Sequence, residues 1–224
     1  MVTNITSQVG AQCSNTGTGS TQLTINQPTT VTSMSFSPDP VCQGDQATFS
    51  FQLNGNGPFT VSYTDNLGGS NQVSVPVSGS YTSSPFTASA GGNFTITQIV
   101  DANNPSCPWS GLPRSANLVV NPAPSIDLTA GDKVCEGEVA RISYQMPVSG
   151  DFTLSYNDHL GNSYSQNVGS QNGSFAFTGL GNPDSLEIRP ISITDNSTGC
   201  VGNANNIVAV VSKPNPVVSI GYSP

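Results

Sequence analysis

The sequence predicts an all-β protein made of tandem β-sandwich domains arranged end to end. Three observations carry this. The apolar residues fall in short alternating runs, as strands with one buried face require. Turn-forming Gly, Pro, Asn, Asp and Ser separate those runs about every ten residues. The pattern also repeats: residues 41–70 match 134–163 without a gap, at 15 identities in 30 positions.

The repeat sets the organisation. Ile5, Ile99 and Ile193 recur at matching places, as do Cys13, Cys107 and Cys200, and Pro28, Pro122 and Pro216. Residues 1–28 are expected to be the last two strands of a preceding repeat. Residues 29–122 and 123–216 are whole repeats, and 217–224 begin another. In the first whole repeat, strands are expected at 33–37, 47–53, 59–64, near 72–77, near 86–88, at 94–101 and at 116–121. In the second they are expected at 126–129, 140–146, 152–157, 163–168, 174–178, 186–195 and 206–212. Seven short strands per repeat, with this alternation, describe an immunoglobulin-like sandwich. The sixth strand changes phase, from Phe94 and Ile96 to Ile99 and from Leu186 and Ile188 to Ile191 and Ile193, which predicts β-bulges near Gln98 and near Arg189-Pro190. The junctions Asn121-Pro122-Ala123-Pro124 and Lys213-Pro214-Asn215-Pro216 are short and proline-stiffened, so the product is a semi-rigid rod.

Composition narrows the partners. The net charge is −8, and only 8% of residues are charged. The basic residues Arg114, Lys133, Arg141, Arg189 and Lys213 are scattered, which excludes nucleic acid and anionic membrane as partners. No apolar run is long enough to insert in a membrane. The N-terminus is polar from Thr3 onward and the cysteine count is odd, so a secreted protein would contain this chain as an internal segment.

Cys-x-Gly-Asp/Glu occurs at Cys42–Asp45 and Cys135–Glu138, and Gly57-Pro58-Phe59-Thr60-Val61-Ser62-Tyr63-Thr64-Asp65 follows the first copy. Together with Ile-x-Asp and a late Cys, these motifs resemble the tandem immunoglobulin-like and PKD-like repeats of large Bacteroidota surface proteins. Those include gliding-motility adhesins exported by the type IX secretion route. The resemblance implies a secreted, extracellular, cell-surface structural protein: a stalk segment for cell adhesion or gliding motility. Its partners would be neighbouring repeats of the same chain and a surface polysaccharide. The alternative is a series of carbohydrate-binding modules appended to an exported enzyme.

Cysteines of a surface protein are expected to be oxidised. Two pairings are open. Cys42–Cys107 and Cys135–Cys200 would be intradomain. In a simple sandwich, however, these partners lie at opposite ends of a domain, ~25 Å apart at ~3.3 Å per strand residue, and a disulfide needs Cα atoms within ~7 Å. End-to-end stacking instead brings Cys42 to the Cys200 end of the next repeat, an interdomain pair. Cys13 then has its partner outside the chain.

No catalytic constellation is legible, and the chain is read as a non-enzyme without a cofactor. His159, the lone histidine, falls in a turn after Asp158. Asp45, Asp65 and Asp195 are candidate Ca²⁺ ligands, because end-to-end stacking would bring them to one joint; aspartate also caps turns without any metal. Trp109, the lone tryptophan, is a candidate sugar platform at a loop tip. Sequons at Asn4, Asn93, Asn172 and Asn196 and an Asp184-Ser185-Leu186 O-glycosylation pattern complete the inventory.

Overall fold

The computed structural model describes residues 28–103, 105, 109, 111, 114–129, 131, 133–177 and 185–221, with the short strands β1 (Ile5–Thr6) and β2 (Ser14–Asn15), which pair antiparallel. Among the described residues there is no helix.

The first sandwich comprises β3 (Thr30–Ser37), β4 (Val41–Cys42), β5 (Gln46–Asn54), β6 (Phe59–Thr64), β7 (Ser70–Val75), β8 (Gly79–Thr82), β9 (Phe86–Thr87), β10 (Gly92–Asp101), β11 (Arg114–Leu118) and β12 (Val120–Asn121). One sheet orders β3-β5-β8, with β9 also on β5; the facing sheet orders β11-β10-β6-β7. Alternation makes the core: Ala47, Phe49, Phe51 and Leu53 of β5 are buried, while Thr48, Ser50 and Gln52 point away from it. Phe49 and Phe94 approach to 5.3 Å between ring centroids, and Phe36 meets Phe94 edge-on at 4.9 Å.

The second sandwich comprises β13 (Ser125–Thr129), β14 (Val134–Cys135), β15 (Ala140–Gln145), β16 (Phe152–Asp158), β17 (Ser163–Val168), β18 (Asn172–Phe177), β19 (Ser185–Asp195), β20 (Val201–Asn205) and β21 (Val208–Lys213). It has its own core, in which Ile126, Leu128, Ile142, Leu154, Ile188 and Ile193 are all buried. β20 leaves its antiparallel partner β19 and pairs in parallel with β13, so it ties the two sheets together.

Three expectations need correction. The stretch expected near 72–77 lies at Ser70–Val75, and β8 was not anticipated at all. β8 pairs with β5 where the sequence shows only Gly79-Ser80-Tyr81-Thr82, a run without clear alternation. The last strand expected at 206–212 lies at β21, and β20 before it was not anticipated; Asn206 at φ +67° separates the two. An Asn at this position tolerates the left-handed region that most residues avoid. The bulges occur as expected. The register shifts between Ile96 and Gln98, and Tyr156 pairs with Pro190 while Ser155 pairs with Ser192, leaving Ile191 as the extra, exposed residue. Residues 217–221 form no strand, and Val217, Val218 and Ile220 are exposed.

Aspartates close the matching turns. Asp158 Oδ1 accepts the N–H groups of Leu160 and Asn162 at 2.9 and 2.8 Å; Oδ2 accepts the Asn162 amide and the Tyr164 hydroxyl at 2.7 and 3.1 Å. Burial alone would raise this carboxyl, but the hydrogen bonds from Asn162, Tyr164 and Leu160 outweigh it and hold it below the ordinary value. Asp65 is lowered mainly by the Asn71 side chain and then by the Gly69 N–H, and Asp195 mainly by the Ser197 hydroxyl. A carboxyl lowered in the fold takes up protons more readily when the chain unfolds. Its stabilisation is therefore complete above the unfolded value, ~3.9, and is lost as pH falls through the folded value. The melting temperature is expected to hold from neutrality to about pH 5 and to fall below about pH 4, less steeply in Asp158→Asn. Melting that rises on acidification through this window contradicts the assignment.

Candidate functional site

The site is the joint between the two sandwiches. At the end of the first, β4 pairs in parallel with β12, setting Cys42 beside Asn121. The Val41 N–H donates to Val119 O at 3.0 Å and the Gln43 N–H to Asn121 O at 2.8 Å. Asp39 Oδ1 accepts the Val119 N–H at 3.0 Å. A tight turn follows, in which Gly44 at φ +95° lets the Asp45 N–H reach Cys42 O. Cys42 is thus held next to the point where the chain leaves the first sandwich.

Cys200 is held next to the point where the chain enters the second. It is fully buried in the turn between β19 and β20. The Asp195 N–H donates to Cys200 O at 2.9 Å, and the Gly199 N–H to Asp195 O at 2.8 Å. The Asn196 N–H and side-chain amide both donate to Asp151, each at 2.9 Å. Two residues on, Gly202 lies against the linker: a Cβ there would sit 1.7 Å from the Pro124 carbonyl oxygen. Ser125 then pairs with Asn203.

Cys42 and Cys200 form a disulfide, with Cα atoms 5.5 Å apart and 158 residues of sequence separation. The bond runs alongside the connection through Pro122, Ala123 and Pro124, so two covalent links join the sandwiches. The intradomain pairs Cys42–Cys107 and Cys135–Cys200 are not formed. Strand direction is the reason: Cys42 precedes β5 at the joint end of its own sandwich, and the Cys200 turn faces it across the linker. Cys135 repeats the Cys42 geometry at the far end of the second sandwich, with the Glu136 N–H donating to Lys213 O at 2.8 Å and the Glu138 N–H to Cys135 O at 3.0 Å. It is exposed and unbonded. Cys13 and Cys107 lie outside the described residues.

The other candidates are dispersed. Asp45 and Asp195 flank the disulfide, each donating or accepting within its own turn, and Asp65 closes the β6–β7 turn. Among the described residues no three His, Cys, Asp or Glu side chains gather as a metal-holding group. Trp109 is half-buried and packs against the first core, which leaves part of its ring for a ligand at most. His159 is exposed in the β16–β17 turn. Asn93, Asn172 and Asn196 are exposed, whereas Asn4 and Asp184 lie outside the described residues. A small cleft of about 130 Å³ flanks the joint, lined by Pro122, Pro124, Met146, Val148 and Phe152. Sequence reasoning missed the Gly202–Pro124 approach; a glycine one residue into a strand was its only signal.

No protein-family model matches the chain, and no curated protein sequence does. Solved structures similar to it are β-sandwich modules. The fibronectin(III)-like modules of Clostridium thermocellum CbhA align over 86% of this chain and 100% of theirs, at 13% identity and a TM-score of 0.35. A two-domain fibronectin type III segment of chicken tenascin covers 81% of this chain and 97% of its own, at 14% identity and a TM-score of 0.33. The ligand-binding domain of human OSCAR covers 80% and 96%, at 12% identity and a TM-score of 0.32.

Proposed function

We propose that this chain is a stalk segment of a large extracellular adhesin, a semi-rigid rod whose repeats, 29–122 and 123–216, hold a binding region away from the cell surface and transmit tension to it. One observation carries the reading: the Cys42–Cys200 bond lies beside the proline junction and doubles the covalent connection between neighbours. A single linker is a hinge, and domains joined only by a modest interface move relative to each other by default. A second link beside the first removes most of that freedom.

Strand direction supports a tensile role. β3 runs toward the joint, since Thr30 pairs with Asn54 and Ser37 with Thr48. β21 runs away from it and ends beside Cys135. The shortest covalent path through both sandwiches therefore follows β3 to Cys42, crosses to Cys200 and leaves along β20 and β21. Both cores hang on this path but are not in series with it. A structural disulfide persists in oxidising surroundings, which suits an extracellular place.

The test is made on intact cells that produce the protein. Antibody against this chain is expected to label them without permeabilisation, and mild treatment with a broad protease should remove the label. Label that appears only after permeabilisation contradicts the proposal.

A further inference from the structure

The two sandwiches share a fold but differ at the side where β7 faces β8, and β17 faces β18. In the second, Tyr164 of β17 lies over Tyr156, with ring centroids 5.4 Å apart and planes inclined by 19°. Its hydroxyl donates to Asp158 Oδ2 at 3.1 Å. Phe175 of β18, opposite Ile142, packs on Tyr156 at 5.7 Å. These two rings pack on Tyr156, and Tyr156 and Asp158 are buried.

In the first sandwich the matching positions carry small polar residues. Asn71 stands opposite Tyr63 as Tyr164 stands opposite Tyr156. It keeps only the polar half of the role, donating from Nδ2 to Asp65 Oδ2 at 3.0 Å. Ser83 stands opposite Phe49, where its Oγ accepts the Phe49 N–H at 3.0 Å. With both rings gone, a side-opening cleft of about 460 Å³ remains, within the ~300–1,000 Å³ of small-ligand sites.

We infer that this cleft binds a neutral sugar, a hexopyranose unit or short oligosaccharide. Its walls are aromatic: Tyr63, Tyr81 and Phe86, all half-buried, above Phe49 and Phe94. The walls are fixed in advance, because Tyr81 stacks on Phe51 at 4.8 Å and Tyr63 packs on Phe49 at 5.5 Å. Ring faces suit the apolar C–H faces of a pyranose. Hydroxyls of Tyr63 and Tyr81 supply donors, and the amide oxygens of Asn66 and Asn71 with Asp65 supply acceptors, for its hydroxyls. Among the described residues no Lys, Arg or His lines the cleft, which disfavours an anion. The Asp65 carboxylate already accepts from Leu67, Gly69 and Asn71, at 3.0, 2.7 and 3.0 Å. What remains suits a hydroxyl better than a cation seeking a full countercharge. The inference goes beyond the stalk reading and does not depend on it.

The experiment titrates the whole oxidised chain with cellobiose, maltose, lactose and mannobiose at millimolar concentration, with tetramethylammonium in parallel. Tyrosine ring NMR signals and calorimetry are the readouts. At least one disaccharide is expected to saturate and to shift Tyr63 and Tyr81. Asn71→Tyr, which restores the plug of the second sandwich, should weaken that binding ~tenfold or more without lowering the melting temperature, and Tyr81→Ala should weaken it as well. No saturable response to any of the four sugars overturns the inference. So does binding unchanged by Asn71→Tyr, or a response to tetramethylammonium alone. Should Asn71→Tyr fold poorly, the unaltered chain decides: shifts confined to residues outside the cleft overturn the site. The stalk reading is tested separately on cells, so either can fail alone.

Discussion

Pulled from handles at Pro28 and Pro214, the reduced chain should release about 550 Å more length than the oxidised chain, at ~3.5 Å per extended residue over the 158-residue separation of Cys42 and Cys200. In the oxidised chain, force enters along β3, crosses the disulfide and leaves along β20 and β21. Those strands are already extended, so little length is stored in them. Everything between the two cysteines, including most of both cores, is bypassed. Single-molecule force spectroscopy with and without reductant reads this directly. An oxidised molecule that releases the full length of both sandwiches would show that the bond does not carry the load.

Reduction should also uncouple and weaken the two folds. With the bond intact, either core can unfold only as a closed loop, anchored by the junction at one end and the disulfide at the other. Closing a loop of this size removes about 5 kcal/mol of unfolded-state entropy in the chain-entropy account. For a sandwich of this length that corresponds to a melting temperature at least ~10 °C higher. Scanning calorimetry of the oxidised chain is expected to show one coupled transition, and Cys42→Ser two that are separate and lower. Identical profiles for the two proteins would contradict the account. Gly202 supplies a second coupling, since its close approach to Pro124 locks the linker onto β20.

The features legible in the sequence are those set by local chemistry and repetition. Cys-x-Gly-Asp/Glu marks a turn because Gly44 and Gly137 both need positive φ, and both have it. The phase change from Ile96 to Ile99 marked a bulge, because a strand can switch faces only by adding a residue. Strand direction placed Cys42 toward the next sandwich while leaving the intradomain pairs open. The rest depended on neighbours distant in sequence. β8 exists because β5 offers it a partner, not because its own residues alternate. β20 exists because β13 and β19 both offer it a partner. The cleft is absent from any local pattern. It arises because Asn71 and Ser83, from different sheets, are both small where Tyr164 and Phe175 are large. Trp109 looked free in the sequence for the same reason: only the fold shows the core it packs on.

The stiffened joint requires Cys42 to be joined to Cys200, and a non-reducing peptide map of the native oxidised protein tests that most directly. The predicted result is a disulfide-linked peptide pair containing Cys42 and Cys200, lost on reduction. A peptide pair linking Cys42 to Cys107, or Cys135 to Cys200, would contradict it and return the joint to an ordinary hinge.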